Sequence, residues 1–84
     1  ITMIDLEIKF TEIGMLIDKY GLNFKGVSAI DLAHDEDDLE GIVYVNSKQL
    51  MFTLPFKKLC QLNPQRLDFT IKQSLTAVLQ GGSL

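Results

Sequence analysis

Eighty-four residues, 46% hydrophobic and 23% charged with two prolines and six glycines, have the composition of an ordinary globular domain and lack the polar bias of a disordered chain. A chain this short buries only a little over half of the surface its unfolded form exposes, which leaves room for one domain and argues against a large internal catalytic cavity. The net charge of −3 hides an uneven distribution: residues 1 to 42 carry ten acids against three bases, and residues 43 to 84 carry one acid, Asp68, against five bases, a field able to orient encounters with a charged partner.

From the N-terminus, "MIDLEIKF" alternates strictly, with Ile4, Leu6, Ile8 and Phe10 on one side and Asp5, Glu7 and Lys9 on the other. Period two predicts a half-buried strand. Ile13, Leu16, Ile17 and Tyr20 then follow helical spacing, with Thr11 as the expected N-cap and Gly21 at the C-terminal end. After "GLNFKG", the stretch "VSAIDLA" reads as a strand, and "GIVYV" and "QLMFTLP", separated by "NSK", read as a β-hairpin that Pro55 ends.

"FKKLCQL" reads as a short helical turn. A long helix follows, with Asn63 as N-cap, Pro64 in the first turn and a stripe of Leu67, Ile71, Leu75, Val78 and Leu79. Asp68 and Lys72 are spaced for an i,i+4 pair, and Gly81 and Gly82 are expected to stop the helix.

The expected fold class is α+β: one small domain over residues 1–80 in the order β-α-β-β-β-α, with a mostly antiparallel sheet, helices mainly on one face and a flexible tail at 81–84. The expected core is Leu6, Ile8, Phe10, Ile13, Leu16, Ile17, Leu32, Ile42, Tyr44, Phe52, Leu67, Ile71, Leu75 and Val78. No stretch reaches the roughly 18 apolar residues that span a bilayer, and no leader pattern opens the chain, so the expectation is a soluble, cytoplasmic or otherwise intracellular protein without membrane association. A lone cysteine, Cys60, suits a reducing compartment. The start at Ile1 and the ending "QGGSL" fit a trimmed, tagged or excised chain.

"HDEDDLE", residues 34 to 40, sets five carboxylates beside the only histidine. As an EF-hand loop it fails in both frames: starting at Asp35, Glu40 stands where glycine is required, and starting at Glu36, Ser47 stands where the bidentate glutamate belongs. A zinc cage would need His34 and Cys60 to meet and recruit two carboxylates. Cys60 shares an apolar helical face with Phe56 and Leu59, where a thiol is a small hydrophobe rather than a nucleophile, and His34 reads as a loop residue at a strand end. No glycine-rich turn feeds a helix, so no nucleotide cofactor is indicated. A helix, three strands and a helix is also the element order of double-stranded-RNA-binding modules. However, Lys57 and Lys58 lie only near the lysine cluster those modules use, and a pI near 4.9 disfavours phosphate neutralisation.

No base, nucleophile and stabilising donor assemble from these residues, so the expected function is a non-enzymatic, acidic protein-interaction or regulatory module without a cofactor. Its partner would be another, basic protein or a second copy of the chain. The alternative is a metal-binding or nucleic-acid-associated accessory domain using the acidic segment 31–40 or the basic C-terminal half. The candidate partner-binding residues are the acidic stretch Asp35, Glu36, Asp37 and Asp38, read as solvated and extended, and Phe69 on a glutamine-rich helix face. Val43, Val45 and Met51 join them as a second apolar face of the sheet, left bare if the long helix covers Ile42 and Tyr44. Met15 is a further apolar residue off the buried stripes.

Overall fold

Thr2 and Asp5 decide how the chain begins. In the computed structural model, which describes residues 2–82, the Thr2 hydroxyl accepts the Asp5 backbone N–H and the Asp5 carboxylate accepts the Thr2 N–H, each at 3.2 Å. This capping box satisfies two helix-end donors and starts α1, Met3–Gly21. The strand expected over residues 3–10 is therefore the first half of a helix. Thr11, expected as its cap, lies mid-helix and donates its hydroxyl to the Glu7 carbonyl at 3.0 Å. Leu6, Phe10, Ile13, Ile17 and Tyr20, recurring every four and three residues, turn to the core. Ile8, expected in the core, is exposed on the far side of the helix.

The chain continues as β1 (Val27–His34), β2 (Leu39–Val45) and β3 (Lys48–Leu54), an antiparallel sheet in the order β1-β2-β3. Asn46 and Ser47 form the two-residue turn between β2 and β3, with φ of 50° and 64°. Both are left-handed, the conformation that matches the twist of a hairpin. Asn46 also packs under Gly26, whose φ of 89° only glycine adopts readily, and donates its N–H to the Gly26 carbonyl at 3.0 Å. The two-residue turn sets Val45 opposite Lys48, and from there Val43 opposite Leu50, Ile42 opposite Met51 and Gly41 opposite Phe52.

Past Pro55 the short α2 (Phe56–Leu59) drives Phe56 and Leu59 inward, and α3 (Pro64–Gly82) starts where Asn63 Oδ1 accepts the Arg66 N–H at 2.9 Å. Gly81 and Gly82 continue α3 rather than stopping it, and Ser83 and Leu84 of the expected tail lie outside the described residues. Asp68 turns from Lys72 toward α1, accepting from the Tyr20 hydroxyl and lying 3.9 Å from Lys19 Nζ.

The observed order is thus α-β-β-β-α-α, an α+β domain with all helices on one face of the sheet. Its core takes Ile13 and Ile17 from α1, Leu39 and Val43 from β2, Phe52 and Leu54 from β3, Phe56 and Leu59 from α2, and Leu67, Ile71, Leu75 and Leu79 from α3. No helix among the described residues is long and apolar enough to cross a membrane.

Candidate functional site

The side chains of β2 alternate between the helices and the outside. Leu39, Gly41 and Val43 are buried, while Glu40, Ile42 and Tyr44 point to the opposite face. Among the described residues no helix lies over that face. Register adds Asp31 and Ala33 from β1 and Gln49, Met51 and Thr53 from β3. Met51, opposite Ile42, is 76% exposed, the most exposed large hydrophobic residue described. Asp31, Ala33, Glu40, Ile42, Met51 and Thr53 border an open depression of about 470 Å³. The Tyr44 hydroxyl donates to Asp31 at 3.1 Å, a bond that pushes the phenol above its usual value because the adjacent carboxylate favours the protonated form.

This arrangement corrects the face assignment made from the sequence. Val43 is fully buried under the helices and Val45 packs against the core, so neither offers a free surface, and Ile42 and Tyr44 leave the core for the outer side. Met51 alone of the three is exposed, with Ile42 rather than Val43 as its neighbour. The signal that finds this is turn length: two residues between Val45 and Lys48 fix every cross-strand partner, and a slip of one residue would move Met51 to the other face.

The acidic stretch is the turn of the β1–β2 hairpin, tight rather than extended. Asp35 Oδ1 accepts the backbone N–H groups of Asp37 and Asp38, both at 2.8 Å, and the Asp35 N–H donates to the Asp38 carbonyl at 3.0 Å. These donors hold the Asp35 carboxyl below its usual range, the N–H groups of Asp38 and then Asp37 contributing most. Local hydrogen bonds therefore outweigh the repulsion expected to keep the segment open. Glu36, Asp37 and Asp38 remain exposed. The acidic turn also touches the basic α2, where the Lys57 N–H donates to the Asp37 carbonyl at 3.4 Å, so the two charge signs meet at this end of the sheet.

His34, expected on a loop, is the last residue of β1 and points inward, its side chain 14% exposed. Its ring lies 4.3 Å from that of Phe10 and 4.5 Å from that of Phe56, between α1 and α2. Nδ1 is 3.0 Å from the Asp35 carbonyl and Nε2 3.3 Å from Glu7 Oε1, so both nitrogens are engaged. Cys60 is half-buried against the core, and desolvation pushes its thiol up, away from the thiolate a nucleophile needs. No three His, Cys, Asp or Glu side chains among the described residues converge on a possible metal position. Phe69 is exposed as expected, on α3 in the helical layer, whereas Met51 lies on the outer face of the sheet.

Compared with protein-family models, with curated proteins and with solved structures, the chain matches none.

Proposed function

We propose that this chain is a non-enzymatic protein-interaction module that takes a basic, partly apolar segment of another protein on the outer face of its sheet, alongside the acidic hairpin. The observation that carries the reading is the composition of that face. Met51 and Ile42 form an open apolar centre, Asp31 and Glu40 flank it, and the face carries no lysine or arginine. A half-covered antiparallel sheet ordinarily shows water a polar face, and an exposed methionine beside an isoleucine departs from that rule. The acids would raise the encounter rate with a cation-rich segment, and the apolar centre would hold it. A non-enzymatic role is supported by His34, whose ring nitrogens are both engaged, and by the half-buried Cys60. An intracellular, reducing compartment suits the free thiol.

The test is a titration of the isotope-labelled protein with a synthetic peptide alternating lysine and leucine, followed by amide shifts. Shifts should concentrate on β1 to β3 around Asp31, Ile42 and Met51, weaken with salt, and fall away in Met51→Lys and in the variant with Asp35, Glu36, Asp37 and Asp38 replaced by Asn or Gln. Shifts that fall on α2 and α3 instead, or binding indifferent to Met51→Lys, would refute the reading.

A further inference from the structure

The sheet has two outer strands, and only one of them is guarded. Strand β3 starts at Lys48 and is followed by Pro55, residues that hinder the approach of a further strand. Strand β1 carries no lysine, arginine or proline over its eight residues. Its irregularity lies between Val27 and Ala29, so Ile30 to His34 form a regular edge. The two hairpin closures agree on which backbone groups face outward there. The bond from the Asp35 N–H to the Asp38 carbonyl, and the two-residue turn between Val45 and Lys48, both make Asp31 with Ile42 and Ala33 with Glu40 the hydrogen-bonded pairs of the ladder. Ile30 and Leu32 therefore aim their N–H and C=O groups away from β2, and no strand among the described residues pairs with β1 on that side.

We propose that this edge takes an extended segment of another protein as a fourth strand, with the segment's apolar residues turned under α1 and its basic residues turned to the outer face. The inference rests on the basic, partly apolar partner proposed above and adds how that partner's backbone is held. Charge selects the occupant. Helix α1 lies along β1: Glu7 Oε1 is 3.3 Å from His34 Nε2, a Cβ on Gly14 would stand 3.6 Å from Leu32 Cδ1, and one on Gly21 would meet Ile30 Cδ1. Glu7, Gly14 and Gly21 recur every seven residues, with Asp18 between the glycines, so all four share the flank of α1 away from α3, while Lys9, Glu12, Leu16 and Lys19 line the groove toward α3. Glu7 and Asp18 thus overhang the open edge, and Asp31 stands on its outer side between Ala29 and Ala33. Lys25, the nearest cation in sequence, precedes β1.

Shape agrees with charge. Ile30 and Leu32 are only half-buried and offer apolar contact to the segment's inward side chains. The depression that reaches Met51 is bordered at this edge by Asp31 and Ala33, so outward side chains of the segment enter it over a small alanine. A second copy fits the same edge poorly. Joining two sheets through β1 would turn the two α1 flanks toward each other, each with Glu7 and Asp18 and neither with a cation.

The test uses the isotope-labelled protein and the alternating lysine and leucine peptide in three forms: unmodified, N-methylated at the leucine nitrogens, and N-methylated at the lysine nitrogens. A strand shows its donors to either side in alternation, so one methylated form should lose about tenfold or more in affinity and the other should bind as the unmodified peptide does. Exchange of the Ile30 and Leu32 amide hydrogens should slow on binding. Asp18→Lys, at an exposed position, should weaken binding without moving the melting temperature. Equal effects of the two methylations, or unchanged exchange at Ile30 and Leu32, would overturn strand addition, and the outer-face reading would then stand if Met51→Lys still abolished binding. Loss in one methylated form only, with binding indifferent to Met51→Lys, would uphold strand addition and remove the outer-face reading. A peptide that does not bind at millimolar concentration would refute both.

Discussion

Asp35 illustrates how one side chain changes meaning between sequence and structure. In the sequence it is one of five clustered acids whose shared charge suggests a docking strip. In the fold its carboxylate ties the hairpin turn shut through the N–H groups of Asp37 and Asp38. Its carboxyl is held below the ordinary value, so its contribution to stability is complete above that value and lost as pH falls through the depressed one. Asp35→Asn keeps an Oδ1 acceptor without the titration, and should flatten the acid limb of a stability profile measured by urea unfolding from neutral pH to about pH 2. Asp35→Ala removes the acceptor and should lower the midpoint at neutral pH as well, where Glu36→Ala should not. Equal effects of the two alanine variants would show that the turn does not depend on this carboxylate. Gly41 carries a similar lesson: in the sequence it marks only the start of a strand, whereas in the fold a Cβ there would come within 2.2 Å of the Phe52 ring, which lies over the bare backbone.

At the scale of elements, β1, β2, β3, the α2 turn and α3 were all legible, because each has a local signal that tertiary packing does not contradict. Asn63 caps α3, Pro55 closes β3, and the two-residue turn between Val45 and Lys48 closes the hairpin. The first half of α1 carries a strand-like pattern for a physical reason. A helix with apolar residues on two opposite sides can place them at alternate positions, here Ile4, Leu6, Ile8 and Phe10, and so mimics a strand over about two turns. The capping pair Thr2 and Asp5, and the absence of any turn residue between Phe10 and Ile13, are the features that separate the two. The hairpin offers a direct test of element-level strain, since Ser47 holds a φ of 64° that costs an L-residue energy and glycine little. Ser47→Gly converts the turn to Asn-Gly and should raise stability by about 0.5 to 1 kcal/mol, seen as a higher urea midpoint with an unchanged slope. A lower midpoint would mean that the serine side chain makes a contact worth more than the strain it carries.

Across the whole molecule the two layers are closed at one end by the smallest element. Helix α2 spans only Phe56–Leu59, no side chain caps its start, and a single turn has almost no intrinsic stability. It is held by what it buries: Phe56 is fully enclosed, stacked near His34 and edge-on to Phe10 at 6.3 Å, so one ring joins α1, the end of β1 and the chain leaving β3. The acidic turn closes over the same corner through the backbone bond from Lys57 to Asp37. Phe56→Ala should therefore act on the entire fold rather than on α2 alone, at a cost of about 3 to 5 kcal/mol. Domains of this size have total stabilities from about 5 kcal/mol upward, so the variant should lie close to unfolding at room temperature, with protection from amide exchange reduced in α1 and β1 as much as in α2. Phe56→Leu, which keeps most of the volume, should recover more than half of the loss. A Phe56→Ala variant destabilised by less than about 1 kcal/mol, or one in which exchange rises only in residues 55–62, would show that the corner is a detachable flap and that α1 docks on the sheet without it.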